Sequence, residues 1–165
     1  MTIRQERPED AIAIRAITNA AFKDMPYSDQ TEAKIVDALR SSGALTLSLV
    51  ASEGGEILGH AAFSPVRING LSGGWHGLGP VCVRPNQQRK GIGQSLIRRG
   101  LRQLRSMKAA RCVVFGDPAY YGRFGFESDQ RLFYADAPPG YFQRLVLWGD
   151  APTGEVTYHP SFDAA

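Results

Sequence analysis

The sequence predicts an α/β fold in which helices flank a central sheet. Three observations carry that expectation. Runs rich in β-branched and aliphatic residues alternate with helical periodicities along most of the chain. One of them, Ile57-Leu58-Gly59-His60-Ala61-Ala62-Phe63, is rich in small residues, as a strand buried on both faces would be. Over 91–107, Ile92, Leu96, Ile97, Leu101 and Leu104 repeat at helical spacing, with arginines mostly outside.

The elements follow in order. Residues 2–6 alternate weakly and read as a first strand. Pro8-Glu9-Asp10 opens a helix, with proline and acidic residues where a first turn favours them. Ile12, Ile14, Ile17, Ala20, Ala21 and Phe22 supply its apolar side. Residues 23–28 break it. A second helix is expected over 29–42, with Ile35, Val36 and Leu39 on one side and Gly43 ending it. Strands over 45–52 and 56–68 flank a turn at Glu53-Gly54-Gly55.

A glycine-rich loop over 69–74 leads into a strand over 75–84. Its Gly77, Gly79 and Pro80 mark a bulge, an edge or a close backbone approach. The long helix follows, then a buried strand over 111–115. Gly116-Asp117-Pro118 starts a short helix that runs to Phe124 and ends at Gly125. A further strand is expected over 142–148. The tail from 149 onward shows little periodicity. Trp75 and Trp148 read as packing residues, and Arg98 to Arg105 as a solvated helix face.

At 165 residues the chain fits one domain with a core large enough to stand without disulfides. Its 43% hydrophobic and 21% charged residues exclude disorder across the whole chain. No apolar run approaches the roughly 20 residues that span a bilayer, and the first residues lack a signal peptide's apolar stretch. A cytoplasmic protein without membrane contact is expected. Cys82 and Cys112 lie inside apolar runs and read as buried thiols, with no metal-site spacing. The net charge of +3 is small, although basic residues cluster between Arg84 and Arg111. That surface suits a polyanionic small ligand as well as a nucleic acid. No helix-turn-helix, zinc or aromatic-interleaved basic signature supports the latter.

The turn between the 75–84 strand and the long helix has the makings of an anion site. Backbone N–H groups at a helix start point outward and carry partial positive charge. Gly91 and Gly93 let a diphosphate approach the main chain, and Arg89 and Lys90 add charge beside it. Gln88 can hydrogen-bond within the turn or to the ligand, and Ser95 offers a hydroxyl one turn in. This is neither a Walker loop nor the dinucleotide fingerprint, because Gly-Lys-Ser/Thr and a third glycine are both missing.

Gln88-Arg89-Lys90-Gly91-Ile92-Gly93 matches the Gln/Arg-x-x-Gly-x-Gly/Ala motif of the GNAT superfamily of acyl-CoA-dependent N-acyltransferases. Leu78-Gly79-Pro80-Val81-Cys82-Val83-Arg84-Pro85 resembles that family's fourth strand, and Tyr121-Gly122-Arg123-Phe124-Gly125-Phe126 its Tyr-x-x-x-Gly-Phe segment. The 116–126 stretch and the ending Gly154-Glu155-Val156-Thr157-Tyr158-His159-Pro160-Ser161-Phe162 look like the YhbS-like branch.

The resemblance implies a mixed, mostly antiparallel sheet splayed between its fourth and fifth strands, with helices on both faces. It implies acetyl-CoA as cosubstrate and an amine as acceptor, with no metal. Backbone groups of Val81, Cys82 and Val83 would hold the pantetheine arm. Those of Arg89, Lys90, Gly91, Ile92, Gly93 and Gln94 would hold the pyrophosphate. Tyr121 takes the family position of the general acid, with Tyr120 beside it at the coenzyme. A one-residue shift in register would exchange the two. Where many relatives place Glu, the fourth strand Trp75-His76-Gly77-Leu78-Gly79-Pro80-Val81 has no carboxylate. His76 is therefore the candidate base, since its reference pKa lies near neutrality. Asp117 reads as a helix cap ahead of Pro118, and Glu32 as a weaker base candidate. Arg123 reads as a surface residue or a contact to the coenzyme's 3′-phosphate end. A catalytically silent acyl-CoA sensor is the alternative function, and monomer or homodimer the expected assembly.

Overall fold

The computed structural model of the chain describes residues 1–164. Its strands are β1 (Thr2–Gln5), β2 (Leu47–Glu53), β3 (Glu56–Ile68), β4 (Trp75–Val83), β5 (Arg111–Phe115), β6 (Leu132–Phe133), β7 (Phe142–Val146) and β8 (Gly154–Tyr158). Its α-helices are α1 (Ala11–Phe22), α2 (Glu32–Ser41), α3 (Ile92–Ser106) and α4 (Pro118–Tyr121). The main sheet runs β1-β2-β3-β4-β5-β7 and is antiparallel except between β4 and β5. β8 continues from the far end of β3, and β6 pairs with it in parallel.

The expected splay is present. β4 and β5 pair at Trp75↔Arg111, His76↔Cys112 and Gly77↔Val113. Beyond Gly77 they part, and Val114 and Phe115 stay paired with β7. On its other edge β4 keeps β3, but Ala61 faces Val81 while Phe63 faces Leu78. Gly79 and Pro80 together therefore oppose Ala62, which is the bulge that their sequence foreshadows. The Gly79–Pro80 bond is cis, and Gly79 has φ +136°.

Alternation along β3 divides its side chains between two layers. Ala61 and Phe63 turn toward α3 and pack with Leu96, Ile97 and Leu104. The opposite face carries α1 and α2, with Ile14, Ile17 and Val36 over Val50 and Cys82. Farther along, Val66 joins Val113, Phe142 and Val156 under an aromatic group that includes Tyr134 and Tyr158.

Gly100 is where α3 meets the sheet most closely. A Cβ there would lie 2.2 Å from Cε1 of Phe63, a ring with no exposed surface. Gly100→Ala would gain about 1 kcal/mol of helix propensity. Forcing a buried ring off its site costs more, so a net loss of about 2 kcal/mol is expected in urea unfolding. A variant at least as stable as the parent would refute that packing.

Several boundaries differ from expectation for local reasons. α2 starts at Glu32 rather than near 29, because Thr31 Oγ1 donates to Asp29 Oδ1 and Gln30 adopts φ +65°. β2 begins two residues late, and β7 stops at Val146. Trp148 is 71% exposed and is not a packing residue. Ile12 is 75% exposed, because the buried face follows Ile14, Ile17 and Thr18, which lie across the helix from it. The unpatterned tail contains β8. Its pairing at Val66↔Tyr158 and Ile68↔Val156 is set by a strand some ninety positions earlier, which no local pattern reveals.

Candidate active site

The splay opens a cleft of about 450 Å³, within the usual range for a small-molecule site. Val81, Cys82 and Val83 of β4 form one wall. Gln88, Arg89, Gly91, Ile92, Gly93 and Gln94 form the end at the start of α3, and Tyr120 and Tyr121 of α4 the opposite side. Ala21 and Phe22 at the end of α1, and Met25 in the turn after it, close the cleft. Sequence reasoning missed Ala21 and Phe22, since apolar residues ending a helix carry no signal of a cleft. Gln87 and Arg123 complete the lining. Arg123 is thus a cleft residue as well as a surface one, its guanidinium 4.5 Å from the Tyr120 ring centre. Among the described residues the lining holds two arginines and no carboxylate, which suits a polyanion.

The loop before α3 is shaped by its own hydrogen bonds. Gln88 Nε2 donates to the Val83 carbonyl at 3.1 Å, and Lys90 Nζ donates to Gln87 Oε1 at 3.2 Å. Arg89 and Gly91 both take left-handed conformations, φ +64° and +82°. The N–H of Ser95 bonds to the Gly91 carbonyl, and no side chain caps the helix. The N–H groups of Ile92, Gly93 and Gln94 therefore have no acceptor within the helix. They end the α3 dipole at the cleft, as an anion requires. A side chain at Gly93 would approach the Tyr120 hydroxyl within 3.2 Å, so the bare backbone matters there. Lys90 belongs to this loop but is exposed and does not line the cleft.

Tyr121 is seated by its neighbours. Its ring meets Tyr120 and Phe126 edge-on at 5.0 and 6.0 Å, and a Cβ at Gly116 would strike it at 2.4 Å. Burial pushes its phenol up to about 12, so at neutral pH it holds a proton. Burial also raises Tyr120. The thiol of Cys82 is pushed up to about 11 by burial and stays protonated, while Thr18 Oγ1 lies 3.5 Å from its sulfur. Cys112 is raised further by complete burial, and both cysteines are free.

His76 is not brought to the cleft lining. It sits where β4 and β5 are still paired, between Pro65 and Cys112, and burial lowers its imidazole. Asp117 caps α4, accepting from the Ala119 N–H at 2.9 Å. Glu32 accepts from Ser28 Oγ at 2.6 Å and lies outside the cleft lining.

A partly buried polar network behind the β4 wall was not foreseen. Arg40 holds Glu6 through two hydrogen bonds of 2.7 and 3.0 Å, and Ser48 Oγ donates to the same carboxylate. Ser48 Oγ also lies 2.8 Å from His60 Nε2. Arg40 reaches Asp37, which Arg15 of α1 also holds. Its members come from the residue after β1 and from α1, α2, β2 and β3, so nothing in sequence marks them as neighbours.

A sheet splayed at its one parallel β4–β5 pair, with an uncapped helix start facing the gap, defines the acyl-CoA transferase architecture. Residues 2–128 match the family described as the acetyltransferase (GNAT) domain, and the chain belongs to that family. The uncharacterised N-acetyltransferase YhbS of Escherichia coli K12 is 38% identical over 170 residues, 99% of each chain. A GNAT family acetyltransferase from Brucella melitensis, solved in complex with acetyl-CoA, shares 54% identity and a TM-score of 0.89, covering 98% of this chain and 97% of that one. The Escherichia coli YhbS structure, in complex with CoA, gives 36% identity and a TM-score of 0.90 over 98% and 91%. Among the described residues, no His, Cys, Asp and Glu group could hold a metal, and no helix is long and apolar enough to cross a membrane.

Proposed function

We propose that residues 1–165 form one N-acetyltransferase domain that transfers acetyl from acetyl-CoA to a primary amine, by direct attack in a ternary complex. The observation that carries this reading is the open β4 edge beside the uncapped α3 start, with Tyr121 on the same cleft. The relatives solved with acetyl-CoA and CoA support it.

In this reading the N–H groups of Ile92, Gly93 and Gln94, with Arg89, bind the coenzyme's pyrophosphate, and Lys90 adds charge from outside. Backbone groups of Val81, Cys82 and Val83 receive the pantetheine amides as an added strand would be received. Tyr120 packs at the pyrophosphate end. Acetyl-CoA supplies the thioester carbonyl that the amine attacks. Tyr121 offers its proton to the departing sulfur. With a phenol near 12, transfer to an ordinary thiolate is no longer balanced, so its hydrogen bond to the developing charge matters more than early transfer. His76 can serve as base only through intervening water, since it does not line the cleft.

Acetyl-CoA at about 100 times its Kd is expected to stabilise the fold by roughly 2.7 kcal/mol, raising Tm by about 5–10 °C. Thiol release across a panel of amines then tests transfer itself. The lack of a carboxylate on β4 favours a second reading, a silent acyl-CoA sensor. Stabilisation by acetyl-CoA with no thiol release from any amine would select the sensor, and an unmoved Tm would sink both.

A further inference from the structure

Gln143 of β7 is a polar side chain only 1% exposed, at a position where an apolar one would pack. It faces Val114 across the β5–β7 pair, and Leu145 faces Cys112 two residues along. Val114, Cys112, Leu145 and Tyr121 all belong to the core on the α3 side, so Gln143 lies on the same face of the sheet as Tyr121. A buried amide is costly unless it is hydrogen-bonded. Gln143 Nε2 donates to the Gly116 carbonyl at 3.1 Å.

The need for that bond arises where the β5–β7 ladder ends. Its last registered pair is Phe115↔Phe142, and the Gly116 N–H still donates to the Tyr141 carbonyl at 2.9 Å. In a continuing antiparallel ladder the Tyr141 N–H would answer by donating to the Gly116 carbonyl. It donates to the Pro138 carbonyl instead, at 3.0 Å, closing the turn that leads into β7. The Gln143 side chain supplies the missing donor. The carbonyl it holds shares one rigid peptide plane with the N–H of Asp117, the cap of α4. The Asp117 carbonyl in turn accepts from the N–H groups of Tyr120 and Tyr121, each at 3.0 Å. α4 has four residues and none is fully buried, so its entry at Gly116 largely sets where it lies. Gly116 also meets Tyr121 directly, since an added Cβ would lie 2.4 Å from Cε2 and 3.0 Å from Cδ2 of the ring. Its φ is not positive, so the ring and not the backbone requires glycine here.

Resting on the transferase reading above and on Tyr121 as its acid, we propose that Gln143 is a positioning residue for Tyr121. By holding the Gly116–Asp117 peptide it fixes the seat from which the phenol is aimed at the departing sulfur, and the bare Cα of Gly116 is the contact through which it acts. Gln143 does not line the cleft, so its effect passes through Tyr121. The chemical step is the one already given, with the Tyr121 proton offered to sulfur as the carbon–sulfur bond breaks. What Gln143 controls is how far the hydroxyl stands from that sulfur. A misplacement of about 1 Å at a reacting group can cost about 100-fold in rate.

Gln143→Met tests it, because methionine is of similar size and has no donor. Its kcat for thiol release is expected to fall on the order of 10-fold, while KM for acetyl-CoA and the stabilisation by acetyl-CoA are kept. The same substitution made over Tyr121→Phe should cost nothing further, since no hydroxyl is left to aim. A residue that only props up the fold would lower kcat alike in both backgrounds, or raise KM. Gly116→Ala reaches the same seat without opening the β7 side of the core, and it should show the same split. Carbon-13 NMR of labelled tyrosine gives a readout that needs no turnover. The Tyr121 ring signals should move in both variants, while those of the exposed Tyr27 stay in place. An unchanged kcat in Gln143→Met, an equal loss in the two backgrounds, or an unmoved Tyr121 signal overturns the proposal. Failure of the readings beneath it would show separately, as no thiol release by the parent protein or as an unchanged kcat in Tyr121→Phe alone.

Discussion

Replacing Tyr121 by Phe is expected to cut thiol release from acetyl-CoA by about 100-fold, the lower end of what a positioned acid contributes. The stabilisation by acetyl-CoA should survive. The separation is possible because the ring and the hydroxyl do different things. The ring fills the space over Gly116 and packs on Tyr120 and Phe126, and phenylalanine keeps those contacts. The coenzyme's phosphates would be held elsewhere, at the start of α3 and by Arg89. On the proposed mechanism, removing the hydroxyl removes only a proton and a hydrogen bond that the leaving sulfur would use, so the loss belongs in kcat. A variant with unchanged kcat would take the acid role from Tyr121 and turn attention to Tyr120, which lines the same cleft.

Acidification should expose His60 as a large pH-dependent contributor to stability. Burial lowers its imidazole from 6.5 to about 4, against the opposing pull of Glu6. The unfolded chain accepts a proton near 6.5, but the folded protein does not until about 4. Between those values the unfolded state binds more protons, so stability falls as pH falls, and the loss levels off below the folded value. Fully developed, it is roughly 3 kcal/mol. Glu6 is held below its usual range by its bonds to Arg40 and Ser48 despite burial, and Asp10 chiefly by its bond to Arg4; both add losses at lower pH. The comparison must therefore be with His60→Gln, which keeps a donor toward Ser48 and lacks the titration. Urea unfolding across this range should give a steeper pH slope for the parent than for the variant. Equal slopes would show that His60 is as easily protonated folded as unfolded.

Much of the proposed coenzyme site was legible from neighbouring residues. Gly91 and Gly93 at the start of an apolar-periodic helix, with Arg89 beside them, need only local geometry to make an anion cradle. Asp117 ahead of Pro118 capped α4 as its position demanded. Gly79-Pro80 announced a bulge, although not what faced it. His76 illustrates the limit, since its residue type suited a base while its strand position put it among paired strands away from the cleft. Tyr158 shows the reverse. It lay in a tail without periodicity, yet it rests on Gly77 where β4 and β5 part.

By itself, then, the sequence determined the α/β class, the uncapped helix start at the cleft and the seat of Tyr121, because those depend on residues within a turn or two of one another. The tertiary structure decided where β4 and β5 separate, which side chains line the gap, and how Glu6, Ser48 and His60 come together. Those outcomes depend on pairings between distant segments. Burial, which sets whether His60 and Tyr121 hold their protons, is a sum over all of them.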